Sequence, residues 1–214
     1  MKNLILILTM LLAMNFSTAS AEEFDEEEII GAIFYLDTEL EKNPNDVDKL
    51  KLRGKMYAML DDWESAIDSY SRAIEVDPND LDAYVSRAGM NLMREQFDAV
   101  IEDSSKALQI NPNYLPAYST RASGYSKLGQ FDLALSDCNT MIERLPNDPH
   151  VYASRAMIFA DMNELKRALD DMNQAIKIDS KDPSLYEARS YIHELMGNEK
   201  AAQKDLKKAE NLYR

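Results

Sequence analysis

The chain repeats itself every 34 residues, and that period leaves few folds open to it. Pro44, Pro78, Pro112 and Pro146 stand 34 apart, and Ser180 continues the series. Arg53, Arg87, Arg121, Arg155 and Arg189 keep the same step, each followed by a small residue: Gly54, Ala88, Ala122, Ala156 and Ser190. Tyr84, Tyr118, Tyr152 and Tyr186 precede the last four arginines by three residues, with Leu50 in the first place. Ala66, Val100, Ala134, Ala168 and Ala202 form another column, and Ala73, Ala107, Met141, Ala175 and Ala209 a further one. No insertion or deletion breaks the phase between Val47 and Arg214.

Each unit reads as two helices. Tyr84, Ala88 and Leu92 recur at i, i+4 and i+8, and Phe97, Val100, Ile101, Ser104, Ala107 and Leu108 line one helical face. Asp46, Asp80, Asp148 and Asp182 stand where a first helix needs an N-cap, and Pro149 and Pro183 follow two of them at the favoured first position. Pro78, Pro112 and Pro146 close the preceding helices, while Gly129 and Gly197 sit in the turn inside a pair. The small-residue columns let two helix backbones cross closely.

This spacing resembles the tetratricopeptide repeat: an aromatic, a small residue four on, aromatics at Tyr57 and Tyr125, the alanine columns and the closing proline. The resemblance covers 47–214. It implies an all-α fold, a solenoid of stacked antiparallel helix pairs forming a right-handed superhelix with a concave groove lined by the first helices. It also implies protein–protein interaction without chemistry of its own. The repeats are then 47–80, 81–114, 115–148, 149–182 and 183–214.

The flanks differ from the repeats. Lys2, the apolar run Leu4 to Met14 and the small-residue stretch Ala19-Ser20-Ala21 predict a signal peptide over 1–21, hence export to a periplasmic or secreted location without membrane insertion after cleavage. Residues 22–46 read as an acidic segment and an N-terminal capping helix. Ala32, Leu36 and Leu40 there occupy the columns of Ala66, Tyr70 and Ile74, so about 24–42 forms a lone second helix. In the last helix the apolar columns of Ile67, Ile74 and Trp63 become Gln203, Glu210 and Glu199, which predicts a polar cap and a complete array.

Charge excludes one class of partner and has a direction. With 38 Asp+Glu against 24 Lys+Arg the formal charge is −14, unsuited to binding nucleic-acid phosphates. Residues 22–46 carry ten acids against one base, whereas 183–214 carry six bases against five acids. The arginine ladder is expected to be architectural, because Asp103, Asp137, Asp171 and Asp205 follow the last four arginines by sixteen residues; the first has Ser69 there with Asp68 adjacent. An Arg on one helix and an Asp on its mate would make one ion pair per repeat.

On the family's pattern the groove-facing first-helix positions are Lys51, Lys55, Val85, Gly89, Ser119, Ser123, Ala153, Met157, Glu187 and Tyr191. They form a surface basic at one end, small and apolar in the middle, and acidic-aromatic at the other. Small residues leave room for a peptide, and methionine adapts to varied side chains. A clamp for a C-terminal carboxylate is incomplete: after Lys51 and Lys55, the matching places hold Ser86, Met90, Pro116 and Thr120. Catalytic, cofactor and metal sites are not expected. His150 and His193 sit in different repeats, and one cysteine, Cys138, occupies the column of Tyr70 and Met172, which is a core position. Asp77, Asn79, Asp80 and Asp82 lack the glycine and closing glutamate of a calcium loop. The expected function is an exported interaction module or scaffold that binds a protein or peptide in its groove, not an enzyme. The alternative is a structural protein that self-associates through its acidic and basic ends.

Overall fold

The computed structural model describes residues 25–213, all in helices and short turns, with no strand among them. The signal-peptide reading of 1–21 lies outside the described residues, as do Glu22 and Glu23. A lone helix α1 (Glu26–Lys42) comes first, close to its expected place. Paired helices follow: α2 (Val47–Met59) with α3 (Trp63–Val76), and α4 (Leu81–Met93) with α5 (Phe97–Ile110). The pairs α6 (Leu115–Lys127) with α7 (Phe131–Arg144), α8 (Pro149–Asp161) with α9 (Leu165–Ile178), and α10 (Pro183–Leu195) with α11 (Glu199–Leu212) complete the series. They fall into two compact units, one ending at Pro112 and one beginning at Asn113. No helix of the described residues is long and apolar enough to cross a membrane.

The caps explain where the helices begin and end. Asp46, Asp80, Asp148 and Asp182 each accept a hydrogen bond from a backbone N–H of the first turn, and Asp62 does the same for α3. α1 has a full capping box, Asp25 with Glu28. The turn inside each pair repeats one geometry. Asp61, Glu95, Gly129, Asn163 and Gly197 share a column, and all have φ between 57° and 72°. The residue after each sends its N–H back to the carbonyl five earlier, as from Gln96 to Asn91 at 2.9 Å and Gln130 to Tyr125 at 2.8 Å. Glu95 occupies this left-handed position with a Cβ that crowds its own carbonyl. Glu95→Gly should therefore raise stability by about 0.5 to 1 kcal/mol, read as a later urea midpoint with an unchanged slope.

Small residues carry the packing. Ala66, Val100, Ala134 and Ala168 are fully buried, and so are Ala88, Ala156, Ala73, Ala107 and Ala175. In the first unit α1 packs on α2 through Ile29, Ala32, Ile33 and Leu36 against Met56. Each helix then packs on the next in chain order up to α5. In the second unit the same succession runs from α6 to α11, and the first helices also meet one another: α6 touches α8, and α8 touches α10. On α11, Gln203, Glu210 and Glu199 are exposed, while Ala202 and Ala209 are buried.

Candidate protein-interaction faces

The arginine ladder is structural, and it reaches further than the sequence suggests. Arg87 donates from Nε and Nη2 to the two oxygens of Asp103 at 2.9 and 2.6 Å. Arg121 grips Asp137, Arg155 grips Asp171 and Arg189 grips Asp205 in the same two-pronged way, at 2.7 to 2.8 Å. All four carboxylates are buried. Each aspartate's hydrogen bonds outweigh the cost of burial and hold its arginine above the ordinary guanidinium value. The remaining prong turns to the preceding pair: Arg87 Nη1 donates to Ser71, Arg155 Nη1 to Asn139 and Arg189 Nη1 to Asn173. The ladder thus ties each of these first helices to two second helices. At the first step, where Ser69 replaces the aspartate, Arg53 donates to Ser69 at 3.1 Å and takes Asp37 of α1 at 2.9 Å. Asp37 carries the charge there, not Asp68.

The ten expected interaction residues all lie on first helices, at two positions one turn apart on each. In the first unit α2 carries Lys51 and Lys55, and α4 carries Val85 and Gly89. All four are partly buried. Lys51 is engaged rather than waiting: its Nζ is 2.7 Å from Asp80 Oδ2, on the aspartate that caps α4. Burial opposes its charge, but the hydrogen bond and field of Asp80 outweigh it and hold the ammonium above its usual value. The basic end foreseen for this face is therefore largely neutralised at Lys51. Beside Gly89 there is open space, with no atom within 4 Å of where a Cβ would stand.

In the second unit Ser119 and Ser123 lie on α6, Ala153 and Met157 on α8, and Glu187 and Tyr191 on α10. The first four are partly buried, whereas Glu187 and Tyr191 are exposed. The contacts of α6 with α8 and α8 with α10 put these residues on neighbouring helices. Asp161 joins two of the helices nearby, accepting from Ser126 Oγ at 2.7 Å and lying 3.4 Å from Lys127 Nζ. This link was not legible in the chain, because Ser, Lys and Asp at those columns share no type. Two open hollows, of 580 Å³ beside α9 and 450 Å³ beside α1, are lined by none of the ten residues.

The cysteine and the two histidines stand in separate places. Cys138 is fully buried, and burial pushes its thiol up to about 12, so it is no nucleophile at neutral pH. His193 Nε2 lies 3.9 Å from Asp205, while His150 lies on the surface 3.4 Å from Asp182. No group of three metal-binding side chains occurs among the described residues.

Comparison with known proteins agrees with this architecture. The tetratricopeptide repeat family profile matches residues 149–182. No curated protein matches the chain. Among solved structures, a tetratricopeptide repeat protein from Parabacteroides merdae superposes with a TM-score of 0.79 at 22% identity, over 87% of this chain and 73% of its own. PilW, a widely conserved type IV pilus biogenesis factor, gives 0.69 at 18% identity, over 84% and 83%. YrrB, described as having an unusual peptide-binding site, gives 0.54 at 20% identity, over 83% and 91%. The matched repeat at 149–182, the unbroken 34-residue phase and the paired helices give the described residues the tetratricopeptide repeat fold.

Proposed function

We propose that the chain is an exported interaction module that holds a protein or peptide partner against its first-helix faces. The observation that carries this reading is the side-by-side run of α6, α8 and α10, which supports a strip of small and adaptable residues ending at exposed Glu187 and Tyr191. Ser119, Ser123 and Ala153 leave room for a bound backbone, and Met157 adapts to its side chains. In the first unit, taken by itself, Val85 and the open space beside Gly89 have the same small, apolar character. The structurally similar YrrB carries a peptide-binding site and PilW serves pilus biogenesis, so interaction roles occur on this fold. Export follows from the reading of residues 1–21, and places the partner in the periplasm or outside the cell.

The test is capture by the purified chain from the extract of the compartment it occupies. Val85→Glu combined with Met157→Glu puts unpaired carboxylates on the faces without touching the ladder. This variant should lose a partner that the wild type retains, by about tenfold or more in affinity, with its melting temperature kept within a few degrees. Undiminished capture by the variant would remove the first-helix faces from the account.

A further inference from the structure

Two residues of α1 break the pattern of every other second helix. Ile30 and Phe34 are 51% and 75% exposed, one turn apart on the same face. In the 34-residue phase their columns hold Glu64 and Asp68 on α3, Asp98 and Glu102 on α5, and Asp132 and Ser136 on α7. On α9 they hold Lys166 and Asp170, and all these residues are exposed. At these two columns the second helices of the complete pairs are therefore charged or polar, and only α1 is apolar there among the described residues. Ile30 and Phe34 are not left bare by a missing neighbour, since the equivalent positions face solvent in complete pairs too. Their setting is acidic: Glu27 and Glu41 continue the same stripe, and Glu26, Glu28, Asp37 and Glu39 lie on the same helix against one base, Lys42.

An occupant for this stripe must bring positive charge and apolar stems. The terminal helix α11 has both. Its residues in the columns of Ile30 and Phe34 are Lys200 and Lys204, with Lys207 and Lys208 beyond them, all exposed. Leu206 on the same helix is 42% exposed. Lysine buries its methylenes along an apolar surface while its ammonium reaches nearby carboxylates, so Lys200 and Lys204 suit a Phe34–Ile30 stripe edged by Glu27 and Glu41. We propose that the outer face of α1 docks on helix α11 of a second copy of this chain. The contact is heterologous, joining two different surfaces, so each copy offers one face of each kind to further copies. Steering between acidic and basic ends makes it favoured at low ionic strength.

The test uses two full-chain variants, each damaged at one end on exposed side chains. Ile30→Gln with Phe34→Gln removes the apolar stripe, and Lys200→Glu with Lys204→Glu reverses the basic helix; circular dichroism checks that both fold. By sedimentation at about 20 mM salt, the wild type should grow in mass with concentration, and at about 500 mM salt it should return to monomer. Each variant alone should associate at least about tenfold more weakly. An equal mixture should form a heterodimer and stop there, because one intact α1 face and one intact α11 remain between the two. A wild type that stays monomeric at low salt overturns the proposal. So does a mixture that remains monomeric, or a stripe variant that associates like the wild type. A basic partner other than this chain would leave the wild type monomeric and is thereby told apart.

Discussion

Asp103→Ala should destabilise the first unit by about 3 kcal/mol, a fall of about 10 °C in its thermal midpoint, while partner capture at temperatures where the variant is folded stays as in the wild type. Asp103 is buried and fills two of the three donor directions that Arg87 uses, and Ser71 satisfies the third. Removing the carboxylate leaves a guanidinium that is mostly withdrawn from water facing a small apolar gap. The arginine side chain keeps 23% of its surface exposed, so water recovers part of the loss and the effect belongs near the lower end for a broken buried pair. Replacing both partners, Arg87→Leu with Asp103→Leu, should cost less than Asp103→Ala alone, because no charge is stranded. A double variant less stable than the single would show that the pair contributes net stability beyond its own desolvation.

Gly54→Ala should destabilise the chain by about 2 kcal/mol, although alanine normally stabilises a helix relative to glycine by about 1 kcal/mol. A Cβ at this position would lie 2.8 Å from Cζ and 2.9 Å from Cε1 of Tyr70. Tyr70 cannot move aside easily. It is 5% exposed, and burial pushes its phenol up to about 12 while its hydrogen bond to Ser86 acts the other way. The other repeats solve the same crossing with different sizes, pairing Ala88 with Ser104, Ala122 with Cys138 and Ala156 with Met172 at equivalent places. The sign of the effect should therefore reverse in a smaller background. With Tyr70→Cys, which imitates the Ala122 and Cys138 pair, Gly54→Ala should become stabilising by up to about 1 kcal/mol. If Gly54→Ala is equally harmful in both backgrounds, the ring is not the cause.

These two cases also mark what could and could not be read from the chain. The partner of each later arginine was legible because aspartate repeats at one column, sixteen residues on. The other end of the ladder was less plain, because its column, sixteen residues before each arginine, varies from Asp37 to Ser71, Asn139 and Asn173 and repeats only the ability to accept a hydrogen bond. At the first step, where Ser69 replaces the aspartate, that varied column supplies Asp37 on α1 as the charged partner of Arg53. The turn column was legible at Gly129 and Gly197, but Asp61, Glu95 and Asn163 adopt the same backbone because the hydrogen bonds around the turn enforce it. Lys51 read as a free charge because its partner, Asp80, caps the next first helix rather than lying on the same one. Among the ten residues proposed for interaction, position on a first helix followed from the phase, while engagement by neighbours depended on pairs between repeats.

The claim that a partner is held on the first-helix faces is tested most directly by site-specific photo-crosslinking in cells. One probe replaces Ser123, on the first helix α6, and a second replaces Asp132, which is exposed on the outer face of the second helix α7. Both sites lie in the same unit, so expression and folding are shared. The account predicts a crosslinked partner from position 123 and none from position 132. A partner crosslinked from 132 and not from 123 would contradict it.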